Sequence, residues 1–77
     1  MFKDIINFVK DDKLKIIATK EEVNIVNFKE ILEFDDKEII IETKDNLIIV
    51  KGEHLIINKF MDKEILIIGE IKTIEME

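Results

Sequence analysis

Residues 38–60 run Glu38-Ile39-Ile40-Ile41-Glu42-Thr43-Lys44-Asp45-Asn46-Leu47-Ile48-Ile49-Val50-Lys51-Gly52-Glu53-His54-Leu55-Ile56-Ile57-Asn58-Lys59-Phe60. Three short apolar runs, Ile39–Ile41, Leu47–Val50 and Leu55–Ile57, are punctuated by Lys44-Asp45 and Lys51-Gly52-Glu53, both with turn chemistry. The runs are too short for helices and are rich in β-branched residues, which favour the pleated backbone. Outward from this stretch the pattern repeats. Candidate strands cover 13–19, 22–28, 30–35, 38–43, 46–51, 54–60, 64–69 and 70–76, starting roughly every 8–9 residues. No crossover-length helix separates them, so a doubly wound α/β fold is excluded. The expected architecture is all-β: a small antiparallel β-sandwich or partly open barrel of about 7–8 short strands. A β-roll or short solenoid is the alternative, because Glu38–Ile41 echoes Glu64–Ile68 and Leu47–Val50 echoes Leu55–Asn58.

Residues 1–12 read differently. Phe2, Ile5, Ile6 and Val9 follow the i, i+3, i+4, i+7 spacing of a helical stripe, and Asp11-Asp12 closes it. The expected organisation is a short amphipathic helix over 1–12 and a single β domain over 13–77. A helix this short is marginal in water and needs a surface to dock on. The segment has neither the apolar core nor the cleavage site of a signal peptide.

Composition narrows the function classes. The chain has 77 residues, with 18 Ile among its apolar residues and no Cys, Pro or Trp. Twelve Lys stand against 18 acids, for a net charge of −6, and neither half of the sequence is basic. That opposes nucleic-acid binding, which needs clustered positive charge, and electrostatic docking on anionic lipid. The longest apolar runs have four residues, far short of the ~20 that span a bilayer.

Chemistry is scarce. His54 has no second His or Cys with which to hold a metal, and its neighbour Glu53 falls on the opposite face of a strand. The doublets Asp11-Asp12, Glu21-Glu22 and Asp35-Asp36 fall in turns and lack the alternating ligands of a calcium loop. Without Ser or Cys, nucleophilic catalysis has little to work with. No catalytic, cofactor-binding or metal residue is expected, and the chain reads as a non-enzyme. Gly52 reads as a tight turn at positive φ, and Gly69 as a bulge or bend.

The apolar runs are dry on both faces, so they need cover on two sides. Either all of it is core, or one face is an interface. The interface candidates are Phe2, Ile5, Ile6 and Val9 on the N-terminal stripe, with Ile40, Ile48, Val50, Ile56, Leu66 and Ile68 on the strands. An apolar ligand cavity inside a small barrel is the alternative use of the same residues.

An ordered set of segments carries a resemblance. Asn24–Ile31, Phe34–Thr43 (F-x-x-x-x-I-x-I-x-T), Leu47–Ile57 with Gly52, and Glu64–Glu75 with Gly69 follow one another as in a known family. The chain resembles the YabP/YqfC family of small sporulation proteins of endospore-forming bacteria, closer to YqfC-like members, with a divergent N-terminus. Val26 stands where the family often has Glu, and Asp45-Asn46 where a Gly often precedes the strand. The resemblance implies a cytoplasmic mother-cell protein, peripheral at the forespore membrane through a partner. It implies an integral membrane sporulation partner, YqfD-like or YabQ-like, and no catalytic residues. The surplus apolar faces point to homo-oligomers, and the charge balance and short apolar runs to no nucleic acid and no direct membrane insertion.

Overall fold

The computed structural model describes residues 13–77, and the expected N-terminal helix lies outside the described residues. Six strands form one antiparallel sheet: β1 Lys15–Ala18, β2 Glu22–Val26, β3 Glu30–Phe34, β4 Glu38–Glu42, β5 Leu47–Met61 and β6 Glu64–Met76. Their order is β1-β2-β6-β5-β4-β3, so the long β5–β6 hairpin is central and the two short hairpins flank it. The all-β antiparallel expectation holds. The strand number does not, because 46–51 with 54–60, and 64–69 with 70–76, are each one long strand. Nor are there two separate sheets: one open sheet carries every described strand.

The error traces to Gly52. It is not a turn residue at positive φ; it lies inside β5, opposite Ile71. A Cβ there would stand 2.0 Å from the Glu70 carbonyl oxygen, so glycine is required by a close backbone approach. Gly69 has φ +143°, and a Cβ there would sit 2.7 Å from the His54 carbonyl oxygen. Between these glycines the β5–β6 register shifts after Lys51 and again after Glu53, and His54 takes φ 55°. This is a β-bulge, and it bends the central hairpin in the middle.

The bend draws two halves of the sheet over a common core. Val23 and Ile25 of β2 and Ile65 and Ile67 of β6 are fully buried. So are Ile39 and Ile41 of β4 and Ile48 and Val50 of β5. All belong to one cluster with Phe28 and Leu55, although β2 and β4 are not neighbours in the sheet. A flat sheet would leave this face wet.

Backbone groups released by the bulge find partners in the two flanking turns. Gly52 N–H donates to Lys37 O at 3.0 Å and Leu55 N–H to Asp36 O at 2.9 Å. On the other side, Gly69 N–H donates to Glu21 O at 3.0 Å and Ile71 N–H to Lys20 O at 2.8 Å. Each turn is held by one side chain. Thr19 Oγ1 accepts from the N–H groups of Glu21 and Glu22, and Asp35 Oδ1 from those of Lys37 and Glu38. Such local bonds are the usual reason Thr and Asp occupy turns.

Two substitutions test this account. Gly52→Ala is expected to destabilise by about 3 kcal/mol or more, the upper range for overpacking, because only backbone can give way. Lys63 holds φ 64° in the β5–β6 turn, so Lys63→Gly is expected to stabilise by about 0.5–1 kcal/mol. Urea denaturation of both variants measures the two signs.

Candidate interaction surface

The strand residues singled out from the sequence fall into two groups. Ile48 and Val50 are fully buried core residues and offer nothing to a partner. Ile40, Leu66 and Ile68 are half-buried and Ile56 is 55% exposed. These four alternate with core neighbours and so face outward. They do not form one patch. Ile56 is paired with Ile68 on the β5–β6 half, whereas Ile40 is paired with Ile49 on the β4–β5 half, and the bend separates them. Phe2, Ile5, Ile6 and Val9 lie outside the described residues.

Other apolar side chains are more open. The end strands of the sheet, β1 and β3, each have a neighbour on one side only among the described residues. On β3, Phe34 is 55% and Leu32 50% exposed. Phe34 shares the inner face with its partner Ile39, yet no further strand among the described residues covers it. Leu32 lies in the register shift between Ile31 and Glu33. On β1, Ile17 is 64% exposed. Alternation identifies the inner face from sequence, but strand order decides which inner-face residue is left at an edge, and that depends on long-range pairing.

One end of the sheet has a different character. The connections 27–29, 43–46 and 62–63 meet there. Asn27 has φ 71°; its N–H donates to Lys63 O, and its side-chain amide donates to Lys13 O at 2.8 Å. Phe28 is buried and packs against Phe60, ring centroids 5.9 Å apart and planes tilted by 53°. A hollow of ≈ 270 Å³ is lined by Asn27, Phe28, Lys29, Lys44 and Lys63. A second hollow, ≈ 390 Å³, continues over Phe28, Ile31 and Phe60, with Lys29, Lys63, Glu30 and Asp62 around it. The sequence reading found no basic pole, because these lysines come from three separate connections and are gathered only by the fold.

Catalytic chemistry has little geometry to build on. His54 is exposed at the bulge. Asp35 spends Oδ1 on two backbone N–H groups of its own turn. Among the described residues no group of three or more His, Asp or Glu could hold a metal ion. No described helix is long and apolar enough to cross a membrane.

The described residues define a small all-β fold built on one bent antiparallel sheet. The family model for the YabP family matches residues 10–77, which takes in every described residue, and the chain belongs to that family. Membership is consistent with a sporulation-associated role. No curated protein and no solved structure gives a significant match.

The placement of the sequence candidates has a direct consequence. Ile48→Asp buries an unpaired charge and is expected to prevent folding, whereas Ile56→Asp is expected to change stability by only about 0.5 kcal/mol. Thermal unfolding followed by circular dichroism distinguishes them; equal losses would mean that Ile56 is covered.

Proposed function

We propose that the chain is a non-enzymatic assembly protein of spore development, working in the mother cell with a YqfC-like role. It joins copies of itself, and an integral membrane sporulation partner of the YqfD or YabQ kind, through sheet edges and outward apolar residues. The observation that carries the reading is the β3 edge, where Leu32 and Phe34 are each at least half exposed and, among the described residues, only β4 pairs with the strand. An open edge is a template for another strand, and natural edges are usually blunted by Lys or Pro. β3 has neither Lys nor Pro; what limits pairing along it is Glu30, Glu33 and the register shift at Leu32, so a partner strand has to match that shift. Family membership supports the biological setting.

Light scattering across a concentration series tests it. The chain is expected to form a dimer or larger species. A double variant, Leu32→Lys with Phe34→Lys, is expected to be monomeric with its circular dichroism unchanged. A native chain that stays monomeric at every concentration and fails to co-purify with sporulation membrane proteins would sink the proposal.

A further inference from the structure

Three lysines line one hollow in a chain whose net charge is −6. Lys29 comes from the β2–β3 connection, Lys44 from the β4–β5 turn and Lys63 from the β5–β6 turn. No carboxylate is part of that lining, which Asn27 and Phe28 complete. None of the three lysines pairs with a described acid; the ion pairs between described residues, Lys51–Glu75 and Lys72–Glu70, lie elsewhere. A concave site lined by one sign of charge concentrates the opposite charge. The neighbouring hollow adds the apolar surface of Phe28, Ile31 and Phe60. The two hollows share Phe28, Lys29 and Lys63, so a ligand spanning both meets an apolar floor and then a cationic rim.

The β3 edge starts on this rim. Glu30 and Ile31 line the second hollow and open the strand. A chain added alongside β3 would send every second side chain to the face of Ile31. That face meets Phe28 and Phe60. We infer that this end of the sheet binds an acidic segment of a partner protein, extended along β3. An apolar side chain of the segment rests on Phe28, Ile31 and Phe60, and a carboxylate sits among Lys29, Lys44 and Lys63. The inference rests on the reading of the chain as a binding protein and names the chemistry of its partner. Glu30 and Asp62 on the same rim repel an acidic peptide and an anionic bilayer alike; a planar lipid surface fits less well because the apolar floor of Phe28 and Ile31 is recessed in the hollow. A free phosphate fits less well too. Backbone N–H nests commonly hold such anions, and here the Asn27 N–H is already donated to Lys63 O.

The test is an amide-resolved NMR titration of the full chain. The probes are a short peptide alternating Glu and Leu, its counterpart alternating Lys and Leu, inorganic phosphate, and phosphatidylglycerol vesicles. The expected result is saturable shifts from the acidic peptide alone, clustered at Asn27–Ile31, Lys44, Phe60 and Lys63. Lys44→Glu or Lys63→Glu is expected to weaken that binding by about tenfold, the effect of losing roughly one good charge contact. Lys72→Glu, away from the hollow, is expected to leave it unchanged. Equal binding of the basic peptide, reproduction of the shifts by phosphate, vesicle binding that Lys44→Glu abolishes, or no localised shifts would each overturn the inference. Light scattering of the same samples separates it from self-assembly. A chain that assembles without peptide shifts overturns this site alone, and a monomer that binds the peptide supports the site while overturning self-assembly.

Discussion

Everything in this fold depends on how the middle of the β5–β6 hairpin meets its own backbone. At Gly52 the chain runs so close to the Glu70 carbonyl that no side chain fits, and the ladder breaks on either side. A broken ladder leaves N–H groups that cannot stay unpaired inside a protein. The turns 19–21 and 35–37 answer this need with four carbonyl oxygens, two on each side of the bend. The bend then lets β2 and β4 share one core across the sheet. A 77-residue chain buries only a modest fraction of its surface, so a sheet that covers its own inner face is an economical arrangement.

The two flanks of the bend are built alike. Thr19 and Asp35 hold their turns with the same pair of bonds to the backbone two and three residues on. Each turn then accepts from a glycine N–H and from one further amide of the central hairpin. The weak internal echo between Glu38–Ile41 and Glu64–Ile68 in the sequence has a counterpart here. Those segments are nearly all of β4 and the first part of β6, each contributing two inward isoleucines to the core. The likeness is one of local chemistry within a single sheet and does not make a repeat array.

Much of this was legible from residue type. Alternation in Glu22-Val23-Asn24-Ile25 places Val23 and Ile25 inward, as found. The bend at Gly69 was also legible, since no turn cluster surrounds it. Gly52 was misread because Lys51-Gly52-Glu53 has the composition of a hairpin turn, while the real demand on it comes from Glu70, far along the chain. The runs with two dry faces were harder. Ile48 and Val50 entered the core, and Ile49 between them is buried on the outer side, although a continuous apolar run carries no mark of which face is which. The lysine-lined end was invisible for a related reason. Its three charges sit in different connections, and local composition says nothing about which connections meet.

The order of pairing also sets an order in time. β3, β4 and β5 follow one another as neighbouring hairpins, so that half of the sheet can form from local pairing. β2 has no such option. Its inner partner is β6, and Asn24 reaches Glu64 across 40 residues of sequence to donate its side-chain bond. Until Glu64–Ile68 exists, the inner edge of β2 is unpaired and Val23 and Ile25 lack their cover. Non-local strand pairing of this kind is slow, and unpaired edges invite aggregation. β6 therefore closes the sheet: without it, the chain would hold one finished hairpin stack and one exposed hairpin.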